Sequence, residues 1–220
     1  VLDTLDRLDL TRNTLVIFSS DNGPARAARP TELTLMHDTA TGAGYGIGAA
    51  KGVTGGRRGY KASLFGGGIG VPFIARWPGK IAAGRRTQQW ALSMDILPTL
   101  FDAADIPWDS QSIEGRSFLP TLLGDTQPPL RNQWYFVRRE GGFRYGGKCI
   151  DAIRIGPWKL LQNSPFEPRE LYNLDEDPLE QHNVIGRHPK VAQRLSAALR
   201  RQLQQAGKIP WQHTRTHATP

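Results

Sequence analysis

The chain is 220 residues long, 39% hydrophobic, with a formal net charge of +8 and six Trp. That is enough apolar material for one large or two modest folded domains, and the composition excludes a disordered chain. The positive charge favours acidic partners without choosing among them, but no zinc-finger spacing, helix-turn-helix pattern or aromatic-studded RNA-binding strand accompanies it, so the arginines read as a solvated surface and no nucleic-acid partner is expected.

The single cysteine, Cys149, leaves no internal disulfide and no cysteine cluster for zinc. No apolar run approaches the roughly 18 to 20 residues that a membrane span needs, so no membrane partner is expected. The chain starts at Val1 without an initiator Met, and the lack of a signal-like opening therefore carries no weight on compartment.

Val1, Leu5 and Leu8 share one stripe at helical spacing, the end of an amphipathic helix. Leu15-Val16-Ile17-Phe18 is a continuous apolar run of the kind buried on both faces of a parallel sheet. It stops at Ser19-Ser20-Asp21-Asn22-Gly23-Pro24, which is either a plain turn or, at the carboxyl end of a strand, a place for ligand chemistry. Residues 25–59 have no period and read as a long surface loop. The glycine run Gly66-Gly67-Gly68 implies close backbone approach or positive φ, and Val71 to Trp77 is a second strand. Met94, Leu97, Leu100, Phe101 and Ala104 recur at helical spacing as a core-facing helix with Pro98 near its first turn.

The texture changes after the polar stretch 124–129, and the reading places a boundary there. Trp134 to Val137 is a strand. Ala152 to Ile155 and Trp158 to Leu161 flank Gly156-Pro157 as a hairpin would, and Glu170 to Leu174 is a further strand. Val191, Leu195, Ala198, Leu199 and Leu203 mark an amphipathic helix able to cover one face of a small antiparallel sheet.

Taken in order, these segments resemble the type I sulfatases (arylsulfatase family) of the alkaline-phosphatase-like superfamily. Leu15 to Gly23 is similar to that family's apolar strand followed by S-D-N-G. Lys61-Ala62-Ser63-Leu64-Phe65-Gly66-Gly67-Gly68-Ile69-Gly70-Val71-Pro72 is similar to its K-x-S-L-[FY]-E-G-G-x-R-V-P segment. Met94 to Leu100 resembles its D-[IL]-x-P-T-L helix, and Glu170 to Pro178 its E-L-Y-[DN]-L-x-x-D-P motif. The resemblance implies the C-terminal half of such an enzyme: an α/β fold with a partial doubly wound alkaline-phosphatase-like sheet over 1–125, the C-terminal part of the catalytic domain, and a smaller α+β subdomain over 126–220, an antiparallel sheet with a terminal helix.

By the same resemblance, Asp21 and Asn22 would be two oxygen ligands of a divalent cation, calcium by family habit. A carboxylate beside an amide carbonyl suits a hard cation and limits the charge crowded into its site. Lys61 would be the catalytic and substrate-binding lysine that reaches the sulfate or the leaving oxygen, where an ammonium offsets developing charge; the plainer alternative is a surface lysine. His37, followed by Asp38, is a weaker substrate-binding candidate against the plainer reading of an exposed loop histidine.

Two positions depart from the pattern: Gly66 stands where the family usually has Glu, and Gly70 where it usually has Arg before Val-Pro. The family's nucleophile is a formylglycine made from C-x-P-S-R or S-x-P-S-R. Neither pattern occurs here, and Cys149 has no Pro-Ser-Arg after it.

The expected function is therefore sulfuric ester hydrolysis on a sulfated small molecule or glycan by a longer enzyme, with formylglycine upstream and the isolated chain inactive. The alternatives are a phosphoester or phosphonoester hydrolase of the same superfamily, or a non-catalytic basic anion-binding module. Family habit points to the periplasm or to secretion.

Overall fold

A computed structural model of the chain describes residues 1–24, 54–139, 149–162 and 167–206. They fall into two compact units, Val1–Asn22 with Val71–Asn132, and Gly23–Gly70 with Gln133–Pro220. Within the second unit, described residues such as Leu64 and Phe65 pack with the C-terminal sheet.

The first unit holds helix α1 (Leu2–Arg7), strands β1 (Val16–Ser19) and β2 (Phe73–Arg76), and helices α3 (Ile96–Ala103) and α4 (Leu119–Leu123). The apolar run forms its strand, but the neighbour differs from expectation: β1 pairs antiparallel with β2, with Phe18 opposite Ile74 and Val16 opposite Arg76. Phe18 and Ile74 remain 61% and 60% exposed. Period and composition report how apolar a strand's faces are; the direction of the neighbouring strand is set by the path of the chain between them, which local pattern does not encode. In the same way α1 forms but buries none of its residues.

Helix α3 also corrects the reading. Pro98 sits in its first turn as expected, but Leu97 and Leu100 are exposed and the buried positions are Pro98 and Thr99, with Asp95 just ahead of them. Thr99 Oγ1 donates to the Asp95 carbonyl (2.7 Å) and accepts the Phe118 N–H (3.0 Å). The stripe turned inward is polar because it ties the helix start to neighbouring backbone. The apolar core of this unit lies elsewhere, in Phe118, Leu122 and Leu130 with Ala75 and Ile81, and the Phe73 ring meets Phe118 edge-on at 5.4 Å.

The second unit is a four-stranded antiparallel sheet in the order β3 (Gln133–Arg139), β4 (Cys149–Ile155), β5 (Trp158–Gln162) and β6 (Glu170–Asn173), with helix α5 (Pro189–Ala206). The β4–β5 turn is Gly156-Pro157, with Ile155 opposite Trp158 and Gly156 at φ +58, a left-handed conformation that glycine adopts freely. Side chains alternate between faces with period two. One face presents Ile153, Leu160 and Leu171 to Leu195, Ala198 and Leu199 of α5, as the periodicity of that helix predicts. The other presents Ile150, Ala152, Leu161 and Tyr172, and what covers it is Leu64 and Phe65 from the segment that carries Lys61. Each such side chain taken out of water contributes about 1.5–3 kcal/mol, so the Lys61 segment is fixed by burial as well as by hydrogen bonds.

Candidate active site

Strand β1 ends at Ser19, and the acidic turn follows directly. Ser20 Oγ donates to the Asn22 carbonyl (3.0 Å) and, at 3.4 Å, to Asp21 Oδ1. Asp21 is exposed and Asn22 partly buried. These are hard oxygen donors at the carboxyl end of a strand, and their chemistry fits part of a calcium-type ligand set. Among the described residues no three His, Cys, Asp or Glu side chains cluster as a metal site would require. His37 lies outside the described residues.

The residue after this pair does what the sequence could not announce. Gly23 is buried and donates its N–H to the Gly68 carbonyl (2.8 Å), and the Pro24 carbonyl accepts the Lys61 N–H (3.0 Å). A Cβ on Gly23 would stand 1.8 Å from the Gly67 oxygen, so no other residue permits this approach. Gly23 and Pro24 are thus stitched to the Lys61 segment at two points.

Around Lys61 the backbone is tightly folded. Ala62 has φ +82, and its carbonyl accepts Arg138 Nη1 from β3 at 2.5 Å. The Ser63 N–H donates to the Tyr60 carbonyl (3.0 Å). Residues Gly66–Ile69 make a single helical turn, α2. Its glycines serve close approach rather than positive φ: a Cβ on Gly67 would lie 2.1 Å from the Gly59 oxygen, and one on Gly68 2.2 Å from the Ser63 oxygen. Lys61 itself is exposed.

The polar support comes from Arg58 and Glu180, which the sequence reading left out, together with Glu170, Tyr172 and Lys159 of the strands. Arg58 Nη1 donates to Tyr172 Oη (2.7 Å), to Glu170 Oε2 (3.3 Å) and to the Glu180 carbonyl (3.1 Å), while its guanidinium lies 3.9 Å from the centre of the Phe65 ring. Tyr172 donates its hydroxyl to Glu170. Burial first, and then the bond to Glu170, push the phenol above its ordinary pKa. Glu180 accepts Lys159 Nζ on one oxygen and the Gly66 N–H on the other, each at 2.5 Å. Burial lowers the Lys159 pKa, and the Glu180 carboxylate opposes that shift.

This arrangement bears on the two departures from the family pattern. A Cβ on Gly66 would come within 3.1 Å of Glu180 Oε2, and one on Gly70 within 2.8 Å of Arg57 Nη1. A carboxylate thus stands beside Gly66 and a guanidinium beside Gly70, each brought from elsewhere in the chain. The bonds of Glu180 to Arg58 and to Gly66 were not legible in the sequence because each spans more than a hundred residues. The remaining described histidines serve elsewhere, with His182 3.7 Å from Asp177 and His188 packed on Trp158.

Comparison with known proteins agrees with this layout. The family model described as N-sulphoglucosamine sulphohydrolase, C-terminal, matches residues 59–208, and the model described as Sulfatase matches residues 1–106. The N-acetylgalactosamine-6-O-sulfatase of Bacteroides thetaiotaomicron is 30% identical over 90% of this chain and 38% of its own length, and the steryl-sulfatase of Rattus norvegicus is 29% identical over 91% and 37%. The chain thus spans less than two fifths of the length of these relatives. Among solved structures, BT33336S-sulf of Bacteroides thetaiotaomicron superposes with a TM-score of 0.63 at 29% identity, covering 91% of this chain and 41% of that one. With the two family models overlapping over residues 59–106 and together spanning residues 1–208, this chain belongs to the sulfatase family.

Proposed function

We propose that this chain works within a longer enzyme that hydrolyses sulfate esters, releasing sulfate and an alcohol. In that reading residues 1–125 belong to the catalytic domain, and 126–220 form the smaller subdomain on which the Lys61 segment is mounted. Lys61 faces the sulfate or the leaving oxygen, where a fixed ammonium stabilises the negative charge that develops as the sulfur–oxygen bond breaks. Asp21 and Asn22 contribute a carboxylate and a neutral oxygen to a divalent cation, which hard oxygen donors suit and which the family resemblance makes calcium. When bound, the cation holds and polarises the sulfate oxygens. The nucleophile of the complete enzyme is proposed to be formylglycine, for which neither precursor motif occurs in these 220 residues.

The observation that carries this reading is the pair of backbone bonds from Gly23 to Gly68 and from Lys61 to Pro24. A plain surface turn and a plain surface lysine have no need of a glycine buried against the lysine's own loop. A sulfated sugar is the proposed substrate class. It is supported by the N-acetylgalactosamine-6-O-sulfatase relative and by the fold shared with BT4656, solved with its substrate D-glucosamine-2-N,6-O-disulfate (TM-score 0.66, 22% identity, 95% of this chain and 38% of that one). Among the described residues no helix is long and apolar enough to cross a membrane.

The test is kinetic, on the complete enzyme: sulfate esters and matched phosphate esters are compared in the wild type and in Lys61→Ala. Selective turnover of sulfate esters that depends on Lys61 is the expected result. Preference for the phosphate esters, or indifference to Lys61→Ala, would sink the reading.

A further inference from the structure

We infer that Glu180 is a positioning residue for Lys61, holding from both flanks the loop that carries it. The inference rests on the role proposed for Lys61 and adds the part of the chain that fixes its place.

Lys61 lies between two points of attachment, Arg58 before it and Gly66 after it, and both converge on Glu180. Arg58 Nη1 donates to the Glu180 carbonyl oxygen (3.1 Å), and the Gly66 N–H donates to Glu180 Oε2 (2.5 Å). Glu180 is 1% exposed. Its backbone has φ +58, a conformation that a residue with a side chain holds only when its surroundings enforce it. They do so here: its N–H closes a turn on the Asp177 carbonyl (3.1 Å), and its second carboxylate oxygen accepts buried Lys159 Nζ from the middle of β5. A continuous path therefore runs from the sheet through Lys159 and Glu180 to Gly66, where α2 begins. Arg58 is itself gripped by Tyr172 of β6 and by the Phe65 ring.

The buried ion pair has no stabilising role that an apolar pair could not match. Replacing such pairs by well-packed hydrophobic residues is often neutral or favourable, whereas removing one partner is costly. What an apolar replacement cannot do is accept the Gly66 N–H. The contribution specific to Glu180 is thus the fixed position of the loop, and a displacement of about 1 Å in a catalytic group can lower turnover by about a hundredfold.

The experiment separates the hydrogen bond from the charge. In the complete enzyme, Lys159→Met is combined either with Glu180→Leu, which removes the acceptor for Gly66, or with Glu180→Gln, whose amide oxygen can still accept that N–H. The Leu combination should lose at least about tenfold in kcat with KM within about twofold, and the Gln combination should stay within about threefold of wild type. Amide exchange at Gly66 in the 220-residue chain should be at least about tenfold faster in the Leu combination than in the Gln combination. Glu180→Asp serves as a second variant should the Leu combination fail to fold: it keeps a charge beside Lys159 but falls one methylene short of Gly66, and it should show the same loss in kcat. Equal kcat and equal Gly66 exchange in the Leu and Gln combinations would overturn the role of Glu180. A silent Lys61→Ala beside released Gly66 exchange would instead overturn the catalytic reading of Lys61, so the two failures are told apart.

Discussion

Arg131 grips Asp95 with both arms of its guanidinium, Nη1 to Oδ2 at 2.7 Å and Nη2 to Oδ1 at 2.5 Å, and the carboxylate is fully buried. The same two oxygens accept the N–H groups of Leu92 (2.7 Å) and Arg116 (2.8 Å), so one side chain joins the start of α3 to two distant stretches of the first unit. Asp95→Asn keeps the shape but leaves the Arg131 charge unmatched, and is expected to cost about 3 to 5 kcal/mol of unfolding free energy. The exposed Asp3→Asn should stay within about 0.5 kcal/mol. Urea unfolding of both variants measures this, and similar small losses in the two would mean that the pair has no net effect.

Gly23→Ala tests the stitch between Gly23 and the Lys61 segment. The new methyl would stand 1.8 Å from the Gly67 carbonyl oxygen, a backbone atom that cannot swing aside, whereas the same change at Gly186 meets nothing within 4 Å. Gly23→Ala should destabilise by about 1–3 kcal/mol or more, and Gly186→Ala should be neutral or slightly stabilising. Thermal melts of the two variants decide the matter; equal melting temperatures would mean that the approach of Gly23 to Gly67 is not required.

Tyr172 should titrate late. Its phenol is held above the ordinary value of 10.0 by burial and by its bond to Glu170. A group whose folded pKa is raised stabilises the fold fully below the unfolded pKa, and that contribution is lost as pH rises through the folded value. The Tyr172 contribution is therefore constant at neutral pH and declines only above about pH 10. Ultraviolet titration of tyrosinate in the native chain should show a lower titrated fraction at pH 10.5 than in its Tyr172→Phe variant, each taken relative to its own tyrosine count. Ionisation of Tyr172 along with the other tyrosines would show that burial and Glu170 do not hold it as described.

In the complete enzyme the two halves of the proposed site should fail differently. Lys61→Ala is expected to lower kcat by about 10²–10³-fold, the magnitude seen when one fixed donor to a developing oxyanion is removed, with bound metal unchanged. Asp21→Ala should lose metal and activity together, and added calcium should restore part of the rate. Metal analysis beside the kinetics checks both; full metal content and full rate in the Asp21 variant would return this turn to a purely structural role.

The strands and the long helix were legible in the sequence because each has a period of its own. Ala152 to Ile155 and Trp158 to Leu161 on either side of Gly156-Pro157 predicted the hairpin, and Leu195 and Leu199 predicted the helix that covers it. The family order of Asp21-Asn22-Gly23 and Lys61 to Phe65 was legible as well, since those positions are read by type and spacing. What only the tertiary structure decided is what each element meets. Leu64 and Phe65 could be read as apolar, but not as the cover of the second face of the sheet β3–β6. The partner of Phe18 proved to be an antiparallel strand, and the buried side of α3 proved to be Asp95, Pro98 and Thr99 rather than its leucines. Glu180 and Arg58 carry no local pattern at all. The role proposed for them rests on hydrogen bonds between groups more than a hundred residues apart, and such bonds depend on angles and distances fixed only when the whole chain has folded, whereas periodicity depends on neighbours along the chain.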